Sequence, residues 1–130
     1  MSITASRVAR PTKQLRAVRR FYEDLVGLPV LLAFEDHDGF DGVIFGVPDE
    51  RCQLELVHAP DVDVVPRPSA EDQLVLYYDG EPSRVAVISR LASAGFAALA
   101  PDDHTLNPYW TKVGALIVVD PDGYRLVLAT

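Results

Sequence analysis

The segment EDHDGFDG brings His37, Asp38 and Asp41 close together, one imidazole and two carboxylates of the kind a divalent ion uses. The same aspartates and glycines also make a turn between two strands. That is the preferred reading, with His37 a candidate proton shuttle at a cavity mouth. His58 follows Glu55 at an odd spacing, so a regular strand points the two to opposite faces. His104 lies in the polar stretch DDHTLNPYW and reads as solvated. In that stretch Tyr109 and Trp110 follow a proline, which suits a loop that stacks on a ligand over a concave sheet. Trp110 could equally plug the end of the core, and both readings stay open. Cys52 is the single cysteine, in RCQLELV with no histidine beside it, and reads as a small strand residue. The chain carries no Gly-rich phosphate loop, CxxC pair, Ser-His-Asp ordering or HExxH.

The elements that must position these groups show in the hydrophobic periodicity. From Gln14 to Val26, Leu15, Val18, Phe21, Tyr22, Leu25 and Val26 recur at helical spacing, with Thr12 placed to cap the start and Gly27 the end. A second helix begins at Pro82 and runs through Val87, Ile88 and Leu91 to Gly95. Strands are expected at Ser6–Arg10, Val30–Phe34, Val43–Gly46, Cys52–His58, Gln73–Tyr78, Phe96–Ala98, Ala115–Val119 and Tyr124–Ala129. The order strand, helix, three strands therefore occurs twice. The fold class is α+β, two tandem βαβββ modules whose curved sheets surround a cavity with the helices outside. Module 1 spans about 1–58, a proline- and acid-rich connector 59–71, and module 2 about 72–130, together a single domain.

Composition narrows the function classes. The chain has 130 residues, 48% of them hydrophobic, and a net charge of −7, which disfavours nucleic acid and anionic membrane surfaces. No apolar run reaches a membrane span, the N-terminus has no signal-like hydrophobic region, and one cysteine suits a reducing compartment. A cytoplasmic location is expected.

FYEDLVGLPV at the end of the first helix, QLELVHAP in the fourth strand and DPDGYRLVL in the last hairpin, in this order, resemble the vicinal oxygen chelate superfamily. That superfamily contains glyoxalase I, extradiol dioxygenases and bleomycin-resistance proteins. ARPT, FEDHDGFDG, NPYW and DPDGYR resemble its small bacterial YycE-like branch. The resemblance implies four metal-ligand places, one on the first and last strand of each module, normally filled by His, Gln or Glu. The bound ion would chelate two neighbouring substrate oxygens. Carried onto this chain, those places fall on Arg7, Glu55, Gln73 and Val127. Arginine stays protonated and valine has no donor, so only Glu55 and Gln73 could serve a metal. No cofactor is expected, and a divalent metal is possible but disfavoured.

If Glu55 faces a cavity, strand alternation puts Gln53 and Val57 beside it. The same rule joins Arg125 to Val127, and Gln73 to Val75 and Tyr77. The implied ligand-binding set is Arg7, Glu55, Gln73, Tyr77, Tyr109, Trp110 and Arg125, suited to a flat or apolar molecule with an oxygen-rich or anionic edge. Besides a non-catalytic interaction module whose cavity is vestigial, two functions compete. One is a small-molecule-binding protein without a complete metal site. The other is a metal-dependent lyase, isomerase or dioxygenase using Glu55, Gln73 and His37, so enzymatic activity stays open. Catalytic residues are unknown. The expected partner is an unidentified small molecule, and the resemblance implies a homodimer.

Overall fold

The computed structural model describes residues 2–130, in two compact units divided along the chain between Pro66 and Arg67, inside the expected connector. In the first unit, β1 (Ser6–Pro11), β2 (Val30–His37), β3 (Phe40–Gly46) and β4 (Cys52–His58) form one sheet in the order β1-β4-β3-β2. β1 runs parallel to β4, and the other pairs are antiparallel. In the second unit, β5 (Gln73–Tyr77), β6 (Leu116–Val119) and β7 (Arg125–Ala129) form a sheet in the order β5-β7-β6, again with a parallel first pair. Neither sheet closes on itself. No helix among the described residues is long and apolar enough to cross a membrane.

The first helix starts as α1 (Leu15–Arg20) and widens into a π-helical turn, Phe21–Val26. Its stripe buries Val18, Phe21, Tyr22, Leu25 and Val26, as the periodicity requires. The sheet side chains Val43, Phe45, Leu54 and Leu56 are also at most 2% exposed. Thr12 does not cap the helix as expected. Its Oγ1 accepts from Gln14 N at 3.1 Å, a local turn that leads into the helix. Gly27, at φ 89°, ends it, and the N–H groups of Gly27 and Leu28 both donate to the Tyr22 carbonyl.

Two expectations for the second module are corrected. Phe96–Ala98 forms no strand. Phe96 N donates back to Leu91 O of the preceding helix and Leu99 N to Ile117 O, each at 2.8 Å, and Pro101, which has no N–H, follows soon after. The stretch expected to be a loop contains a short helix, α3 (Pro108–Lys112), capped by Asn107, whose Oδ1 accepts from Tyr109 N at 3.0 Å. The longer helix α2 (Glu81–Ser93) starts with proline in its first turn, as expected.

In the first sheet one face turns toward α1 and the other carries Arg7, Gln53, Glu55 and Gly42. A Cβ added at Gly42 would lie 2.4 Å from Phe34 Cζ and 2.9 Å from the Leu56 carbonyl oxygen. The glycine is what leaves room for the Phe34 ring beside β3. We expect Gly42→Ala to destabilise the chain by about 1–3 kcal/mol, the usual cost of overpacking. Adding Phe34→Leu should restore part of the loss, because the ring is one of the two clashing partners. Urea unfolding of the single and double variants checks both effects.

Candidate functional site

The first unit brings Arg7 and Glu55 together. Register pairs Arg7 with Gln53 and Ala9 with Glu55, so the β1 and β4 side chains stand on one face. Arg7 Nε donates to Gln53 Oε1 at 2.9 Å, and Arg7 Nη1 lies 3.8 Å from Glu55 Oε1. Gln53 is itself oriented by donating Nε2 to the Glu50 carbonyl at 2.7 Å. The Arg7 side chain remains 47% exposed and Glu55 18%, so the guanidinium is held from one side and open on the other. In that state it can accept an anion in its fork but cannot ligate a metal.

The second unit treats its predicted residues differently. Val127 is fully buried in a cluster with Ala115, Ile117 and Ala129, against which Val75, Leu99, Leu106 and Trp110 pack. The segment from Leu99 to Val113 thus forms a strap over this face of the sheet. Two polar tethers hold it. Trp110 Nε1 donates to Gln73 Oε1 at 2.9 Å. Arg125 Nη2 donates to Thr105 Oγ1 at 2.6 Å, and Nη1 to the Thr105 carbonyl at 3.3 Å. Gln73 and Arg125 are register partners on β5 and β7, so the tethers rise from adjacent positions. Thr105 also donates its hydroxyl and its N–H to Asp103 Oδ1, at 2.5 and 2.8 Å. These two bonds hold the Asp103 carboxyl below its ordinary pKa.

Tyr77 shares the face of Val75 as alternation requires, but lies at the strand end and is 71% exposed. Tyr109 packs edge-on to Trp110, with ring centroids 4.9 Å apart, and is itself exposed. His37 stands at the tip of the β2–β3 hairpin with its side chain 78% exposed. Asp36 and Asp38 there have positive φ, and Asp41 Oδ1 accepts from Asp36 N at 2.8 Å, so EDHDGFDG closes the hairpin, turning at Asp38 and Gly39 between the two strands. His58 Nδ1 is 2.9 Å from the Thr12 carbonyl oxygen. Cys52 is a free, exposed thiol.

These residues do not fit a divalent ion. Of the places the resemblance implies, Arg7 in the first unit is a cation, and Val127 in the second is sealed among aliphatic side chains. The Gln73 carbonyl oxygen already accepts from Trp110. Among the described residues, no three of His, Cys, Asp and Glu come together.

Some contributors were not seen in the sequence. Arg84 on α2 is buried and donates Nη1 to the carbonyls of Gly114 and Leu128. Nothing in the local sequence marks this helix arginine as one that turns inward. Asn107 followed by Pro108 is a helix-start signal that could have revealed α3.

Two models of one family match this chain, the YycE-like N-terminal domain over residues 6–57 and the YycE-like C-terminal domain over residues 71–130. The protein YycE of Bacillus subtilis strain 168 is 36% identical over 121 residues, covering 93% of this chain and 84% of that protein. The crystal structure of a YycE protein of unknown function from Bacillus subtilis superposes with a TM-score of 0.87 at 34% identity, covering 98% of this chain and 89% of that one. TnmS3, an antibiotic-binding protein from Streptomyces sp. CB03234, shares the fold at a TM-score of 0.66 and 21% identity, covering 99% and 97%.

Proposed function

Since the chain belongs to the YycE-like family, a branch of the vicinal oxygen chelate superfamily, we propose that it is a small-molecule-binding protein that works without a catalytic metal. One observation carries this reading. At the places that the resemblance assigns to metal ligands, this chain has a half-exposed guanidinium at Arg7 and a sealed aliphatic side chain at Val127. The half-exposed guanidinium can receive an anion there. TnmS3 shows that the same fold serves antibiotic binding in another protein.

The ligand would meet Arg7 with a carboxylate or another oxygen-rich edge. Gln53 and Glu55 keep the guanidinium plane fixed, so little side-chain entropy is lost on binding. Calorimetric titration with planar carboxylates such as benzoate and salicylate tests the reading. Arg7→Ala should weaken binding about tenfold or more, since a charge-assisted hydrogen bond contributes about 1.5–3 kcal/mol. Arg7→Lys should recover only part, because an ammonium lacks the fork. Equal affinity in all three proteins would reduce Arg7 to a structural ion pair.

A further inference from the structure

The strap of the second unit leaves space beneath it. A pocket of about 160 Å³ lies between the strap and β6, lined chiefly by Leu99, Leu106, Trp110, Thr111, Ala115 and Ile117. We propose that this pocket binds a neutral molecule, or part of one, the size of a single aromatic ring. The proposal rests on the reading of the chain as a small-molecule binder and names a ligand class for its second unit.

Size is the first argument. An apolar cavity of about 150 Å³ admits benzene, so this volume takes one ring and not two fused ones. Chemistry is the second. No charged side chain lines the pocket. Trp110 turns its N–H to Gln73, so it offers the pocket ring carbon only. The nearby Gly114 carbonyl already accepts from Arg84 Nη1 at 2.8 Å. Thr111 supplies the one polar side chain of the lining, enough to orient a hydroxyl but not to compensate an ionised group. Access is the third. The strap is tied at its polar side by bonds to Gln73 and Arg125, which water can replace when it opens locally.

Trp110 is the only tryptophan and forms one wall, so its emission reports occupancy. The full chain is titrated with toluene, phenol, benzoate and naphthalene. Toluene and phenol should produce a saturable change in Trp110 emission, and benzoate and naphthalene at least a tenfold weaker response. Ala115→Leu fills the pocket from the sheet side and should abolish the toluene response. Thr111→Phe, at an exposed position, fills it from the solvent side and serves if Ala115→Leu does not fold. No saturable response to toluene up to its solubility limit overturns the proposal, as does an unchanged response in the folded filled variant. Calorimetric benzoate binding that depends on Arg7 while toluene fails would overturn this pocket alone and leave the proposed function standing. Loss of Arg7-dependent binding with a saturable toluene response would do the reverse.

Discussion

Arg84→Ala lowers the unfolding free energy by about 3–5 kcal/mol, the cost of removing a buried, multiply bonded cation and leaving its partners unpaired. The side chain is 9% exposed and joins three parts of the second unit. Nη1 donates to Leu128 O on β7 at 3.1 Å and to Gly114 O, just before β6, at 2.8 Å, while Nε donates to Glu81 Oε2 at 3.2 Å. Nη2 also pairs with the other Glu81 oxygen. Glu81 is more than half exposed, so it can turn to water when the arginine is gone. The two carbonyls lose the donor that Arg84 supplies. Arg84→Leu should recover little, since it restores volume but not hydrogen bonds. Denaturant midpoints of the two variants decide, and a loss below about 1 kcal/mol would mean that water replaces the guanidinium.

Trp110→Ala should cost about 3 kcal/mol, at the low end of the range for removing a buried tryptophan. The ring is partly buried and packs on the Val127 cluster, and its N–H bond to Gln73 fixes the strap. Truncation therefore removes both packing and a tether. Trp110→Phe keeps most of the packing and loses only the tether, so its cost should be near 1 kcal/mol. A stable, cooperative melt for Trp110→Ala near the parent's temperature would show that the residue is a free lid and that the strap is held elsewhere.

The first unit was largely legible because its signals were redundant. In LEL, alternation sends Leu54 and Leu56 into the core at 2% and 1% exposure while Glu55 stays on the other face beside Arg7. Helical spacing, Gly27 and the turn residues of EDHDGFDG agreed with one another. The second unit was less legible because its decisive features are tertiary. Three residues at Phe96–Ala98 have strand composition, but a ladder needs a partner, and Leu99 supplies only one bond. The tie between Gln73 and Trp110 spans 37 positions. Alternation could bring Gln73 and Arg125 to one face, yet nothing local told that both would point at the strap. The choice for Trp110 between stacking lid and core plug likewise depended on where the chain runs between Leu99 and Val113.

The most direct measurement is the metal content of the protein purified without chelator from medium supplied with zinc, nickel, iron and manganese. With a guanidinium at Arg7, Val127 sealed among aliphatic side chains and the Gln73 oxygen engaged, the protein should carry far less than one equivalent of any metal. Val127→Glu should not create a site, because it buries an unpaired carboxylate among aliphatic side chains and destabilises the fold instead. A stoichiometric metal that is retained through dialysis and lost on Glu55→Ala would overturn the metal-free reading and make the chain a metalloprotein.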